Sequence, residues 1–169
     1  MQERMFSELF LHLSLLLGFP TMLEGLTTLR TIAAKPAAGP VKAERIALVK
    51  KRGMNKLRRI YGSTLNRLLA NLRSLHEDVP EMIIRDVYGR TVSRRGLSLR
   101  EREIVNVAVL SIQQLDQQLH SHIRGALALR VSRKSLRRII NMAARIAHTD
   151  PKISLNLLSS LARSRKSSR

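Results

Sequence analysis

The sequence predicts an all-α protein, on three observations. Apolar residues recur at three- and four-residue spacing through most of the 169 positions, which is the period of an amphipathic helix. No stretch sustains the apolar–polar alternation of a half-buried strand. The interruptions are Gly- and Pro-bearing turns or Ser and Asp caps, the punctuation of helices.

The elements follow in order. Phe6, Phe10, Leu13 and Leu17 share a helical face, so a first helix is expected from about Glu3 to Leu17. Gly18-Phe19-Pro20 breaks it and opens a second helix to about Ile32. The apolar run Leu9–Leu17 is similar to a signal peptide. Against that, Glu3 and Glu8 spoil a basic start, no small-residue cleavage site follows, and no segment reaches the ~18–20 apolar residues of a membrane span. Ala33–Pro40 reads as a linker by its Ala, Pro and Gly content. A basic helix is expected from Lys42 to about Ile60, then a helix capped by Ser63 with Leu65, Leu68, Leu69, Leu72 and Leu75 on one face. Asp78 should cap a short helix to Tyr88, with Gly89–Gly96 as a loop.

Ser98-Leu-Arg-Glu101 is a capping box, so a strong helix starts there and runs to about Gln114. Its apolar residues Ile104, Val105, Val107, Ala108, Leu110 and Ile112 cover over half its circumference, which predicts a central, mostly buried helix. Another helix follows from about Asp116 to Leu129. Ser132 caps the next, and Asp150-Pro151 opens the last. Leu17–Arg30 and Ala147–Arg163 both read as helix, Pro-bearing turn and Leu-rich helix, a weak internal repeat.

Charge is the strongest compositional feature. Thirty-one Lys and Arg stand against twelve Asp and Glu, a net charge of +19, and 23 of the 31 are Arg. Self-repulsion on that scale favours a polyanionic partner, and the Arg fork binds phosphate bidentately. The charge is clustered. Lys42, Arg45, Lys50, Lys51, Arg52, Lys56, Arg58 and Arg59 crowd one helix, and Arg130, Arg133, Lys134, Arg137 and Arg138 crowd a helix start. Arg163, Arg165, Lys166 and Arg169 end the chain. Only five aromatic residues are present, too few for base-stacking platforms, so contact through phosphates and shape is expected. No Cys is present, which excludes disulfides, thiolate metal sites and cysteine nucleophiles. His12, His76 and His148 lack partners at ligand spacing, so neither metal nor cofactor is expected.

Leu97-Ser-Leu-Arg-Glu-Arg-Glu-Ile-Val-Asn-Val-Ala-Val-Leu110, followed by Gln118-Leu-His-Ser-His-Ile-Arg-Gly-Ala-Leu127, resembles the carboxymuconolactone decarboxylase family, whose wider membership includes proteins resembling alkyl hydroperoxidase D. Arg52-Gly53 to Tyr61-Gly62, Val87–Arg90 and Ser93–Leu97 are similar to the segment joining two copies in tandem members. Gly18-Phe19-Pro20 with Glu24 is similar to the turn that ends the family's domain. The resemblance implies a helical bundle with one full domain preceded by the back half of another copy. On it, residues 1–33 are the back half of an incomplete first repeat, 34–62 a linker and basic helix, 63–164 the full domain, and 165–169 a basic tail. A half-domain leaves apolar faces to be covered by a neighbouring protein.

The resemblance bears on catalysis in two ways. Thiol chemistry of the peroxidase type is excluded without Cys. In the decarboxylase type, a Glu and a His four residues apart share one helix face, and His122 takes the His position with Gln118 where the carboxylate would be. An amide cannot exchange protons, so His122 and Gln118 are expected to be vestiges and the chain to be non-enzymatic. The expectation is thus an RNA-bound structural protein of a large ribonucleoprotein, specifically a mitochondrial ribosomal protein reusing an enzyme fold, with rRNA and neighbouring proteins as partners and no membrane. The alternative is a decarboxylase or lactone-processing enzyme acting on a small anionic substrate through His122, with an enclosed pocket lined by Arg124.

Overall fold

The computed structural model describes residues 2–32 and 43–163, and these are helical with no strand among them. The all-α expectation therefore holds. The chain divides into two compact units, residues 1–98 and 99–169, a division inside the stretch 63–164.

The first unit begins with α1 (Gln2–Ile32), which is interrupted at Gly18, where φ is 78° and ψ 170°. That left-handed φ suits Gly, which has no Cβ to clash. A Cβ on Gly25 would collide with the Phe10 ring. Residues fifteen apart lie about 22 Å apart in a straight helix, so α1 folds back on itself at Gly18. By length and composition alone, Arg4–Ile32 is long and apolar enough to cross a membrane. That corrects the expectation that no segment is, although the break at Gly18 divides it into two short helices.

Next come α2 (Ile46–Tyr61), a 3-10 turn at Gly62–Thr64, α3 (Leu65–Leu75), α4 (Val79–Met82) and a π-helix at Ile83–Val92. The main packing is α2 against the π-helix, and two glycines permit it. A Cβ on Gly53 would land on the Ile84 carbonyl, and one on Gly89 would lie 2.6 Å from the Val49 carbonyl oxygen. Arg52 ties the crossing, donating from Nε and Nη2 to the Gly89 carbonyl at 3.2 and 3.0 Å. Val49, Leu57, Ile60, Leu65, Tyr88 and Val92 form the core. Glu8, itself buried, accepts both arms of Arg94 at 2.7 and 2.8 Å.

Three local expectations change here. Ser63 lies inside the 3-10 turn rather than capping α3. Asp78 precedes α4 without a side-chain cap. The expected loop from Gly89 is π-helical to Val92, because Gly89 is held against α2.

The second unit contains α5 (Leu99–Ile112), α6 (Asp116–Ala128), α7 (Arg133–Ala147) and α8 (Lys152–Arg163). α5 packs on α6 and α7, and α8 packs on the same two. Val107, Leu110, Leu119, Ile123, Leu136, Ile140 and Leu158 are buried between them, each contributing about 1.5–3 kcal/mol of hydrophobic stabilisation. The caps agree with the sequence. Ser132 Oγ accepts from the Ser135 amide at 3.0 Å, and Asp150 Oδ1 from the Lys152 amide at 2.9 Å. α5 begins immediately after Ser98.

Candidate acid–base site

α5 is not the apolar cylinder its composition suggests. Val107 and Leu110 are buried, but Ile104, Val105, Ala108 and Ile112 are only partly so. Arg102, Glu103, Asn106 and Ser111 are buried in their place. Placing charge in a helical core costs free energy unless each group finds a partner.

For Glu103 the partner is His122 on α6. Oε2 of Glu103 lies 2.8 Å from Nδ1 of His122, with side-chain exposures of 3% and 20%. Glu103 and Asn106 are three residues apart and share a face of α5, which places Asn106 Nδ2 at 3.1 Å from the same Nδ1. One ring nitrogen cannot donate to the first and accept from the second at once. Protonated Nδ1 donates to Glu103, and unprotonated Nδ1 accepts from Asn106. When the neutral ring donates from Nδ1 to the carboxylate, Nε2 is the ring nitrogen left free of a proton. The cluster is thus equipped for general acid–base chemistry.

The structure brings His122 together with Glu103, a residue the sequence does not single out. Gln118 is exposed, and the carboxylate comes from α5, 19 residues before the histidine. A signal was present: Glu103 and Asn106 sit at helical spacing among apolar residues, where a charge needs a buried partner. Arg124 is partly buried one turn-half beyond His122. A cleft of about 530 Å³ lies along α7, and none of its lining residues belongs to the Glu103–Asn106–His122 cluster. Among the described residues, no three His, Cys, Asp or Glu side chains converge as a metal site would require.

The basic residues divide into those with structural roles and those facing solvent. Arg52 pairs with Glu44 through two bonds at 2.8 and 2.7 Å, besides holding Gly89. Lys50 pairs with Glu81 at 2.8 Å. Arg133 donates to the Leu158 and Leu161 carbonyls at 3.0 and 3.1 Å, satisfying the end of α8. Lys56 is partly buried, and Arg45, Lys51, Arg58, Arg59, Arg130, Lys134, Arg137 and Arg138 are exposed. Arg163 ends α8. Lys42, Arg165, Lys166 and Arg169 lie outside the described residues.

Residues 83–154 match the model of the carboxymuconolactone decarboxylase family. The chain is also similar to a 4-carboxymuconolactone decarboxylase of Acinetobacter baylyi, with 32% identity over 76 residues. That alignment covers 45% of this chain and 57% of the relative. The matched segment, residues 83–154, includes Glu103, Asn106 and His122, and the chain spans little more than half the length of that relative.

Proposed function

We propose that this chain is an acid–base enzyme of the decarboxylase type that acts on a small organic acid through His122. The observation carrying this reading is the 2.8 Å contact between buried Glu103 and His122. In a decarboxylation, the carboxylate leaves as carbon dioxide and the electron pair of the broken C–C bond remains on the substrate carbon. That carbon then takes a proton, and His122 Nε2 supplies it while Nδ1 stays bonded to Glu103. The substrate class comes from the relative's name. The test is turnover of 4-carboxymuconolactone by the purified protein, followed by release of carbon dioxide. Turnover that falls by roughly 10²–10⁴ in His122→Ala supports the reading, and no turnover by the unaltered protein overturns it.

A second reading rests on a separate observation. Lys51, Arg58 and Arg59 of α2 and Lys134 and Arg137 of α7 are exposed and form no ion pair among the described residues. Such groups suit a phosphate backbone, which supports binding of a polyanion such as RNA. The family match favours a decarboxylase-like fold over a ribosomal protein, so RNA binding takes second place here. RNA retention that falls steeply between low and moderate salt would support it, and no retention at low salt would overturn it.

A further inference from the structure

The cleft of about 530 Å³ along α7 has a chemistry of its own. Arg138, Asn141 and Arg145 lie at i, i+3 and i+7, so they form one stripe of the helix. Ser135, Ile139 and Met142 lie at i, i+4 and i+7 and form a neighbouring stripe, which Ile104 of α5 extends. The cleft therefore sets two guanidiniums beside an apolar strip. The guanidinium-bearing residues are two helical turns apart, about 10.5 Å along the axis. Arg138 and Arg145 are exposed, and among the described residues neither forms an ion pair. No Asp or Glu occurs anywhere from Gln117 to Thr149, so nothing on α7 competes for these charges. The volume falls in the range of sites that hold small organic ligands.

We propose that this cleft binds an organic dianion with two carboxylates on an apolar spacer, one carboxylate on each guanidinium and the spacer over Ile139 and Met142. The forks of Arg138 and Arg145 match carboxylate geometry, and Asn141 between them offers an amide to either end. That axial spacing favours an extended chain such as azelate over a compact ring acid. The site uses no residue of the Glu103–His122 cluster and stands apart from the chemistry proposed there.

Calorimetric titration of the intact protein with azelate tests this, with nonanoate, inorganic phosphate and a short RNA oligonucleotide as comparators. Azelate should bind more tightly than nonanoate or phosphate. Arg138→Ala and Arg145→Ala should each weaken it roughly tenfold or more, and Ile139→Ser should weaken azelate but not phosphate. Both arginines are exposed, so circular dichroism should show these variants folded. His122→Ala should leave azelate binding unchanged, which separates this site from the proposed enzyme activity. Three results would overturn the proposal. These are no heat with azelate, binding abolished by His122→Ala but kept in both arginine variants, and displacement of azelate by equimolar phosphate or RNA.

Discussion

Glu103 and His122 show what one buried carboxylate does to a ring nitrogen. When Nδ1 is protonated it donates to that carboxylate at 2.8 Å, which selects the tautomer with Nε2 unprotonated. Glu103→Gln keeps the shape but removes the charge that stabilises an imidazolium. We expect it to lower kcat by roughly 10²-fold or more with the fold intact, checked by turnover alongside circular dichroism. Asp86 illustrates a different coupling. Two hydrogen bonds from Arg85 at 2.9 and 2.7 Å, aided by Arg90, hold its carboxyl below the usual range. A carboxyl depressed in the folded state adds stability above its unfolded pKa of about 3.9. That contribution is lost as pH falls through the lower folded value. Stability against urea should therefore decline below about pH 4, and Asp86→Asn should flatten that decline.

At the scale of elements, the α2 crossing depends on the missing side chains of Gly53 and Gly89. Gly53→Ala would push a methyl into the Ile84 carbonyl, a backbone atom that cannot rotate away. Overpacking of this kind costs about 1–3 kcal/mol, and a lowered urea midpoint would register it. Ser132→Ala removes the acceptor for the Ser135 amide and should cost about 1 kcal/mol, read the same way. α7 combines a buried face of Leu136, Ile140, Ala143 and Ala144 with exposed Lys134, Arg137 and Arg138. Its apolar face anchors it in the second unit, which leaves the cationic face to solvent.

Over the whole molecule, the net charge of +19 opposes compaction. Added salt screens that repulsion, and about 0.5 M reduces the Debye length well below its value of about 10 Å at 0.1 M. The thermal midpoint should therefore rise with sodium chloride and rise further with sulfate, measured by scanning fluorimetry. An unchanged midpoint would mean that the charge is already balanced locally, as Arg52 with Glu44 and Lys50 with Glu81 are.

The helices and most of their limits were legible in the linear order of residues, because caps, glycines and helical periodicity are local. Ser132, Asp150 and the Gly18 break are read from a few neighbours each, and the structure keeps all three. The resemblance to the carboxymuconolactone decarboxylase family was legible for the same reason, since Leu97–Leu110 and Gln118–Leu127 are contiguous runs. What required the tertiary structure was pairing between elements. Whether His122 keeps an acid partner depends on which face of α5 meets α6, and periodicity along one helix carries no information about its neighbour. The close approach of Gly53 and Gly89, the Arg52 bond to Gly89 and the Glu8–Arg94 pair share that character. Composition and periodicity determined that this is a helical, cysteine-free polycation. Only packing decided that its buried polar residues join into an acid–base cluster, because burial makes a charge seek its partner across space rather than along the chain.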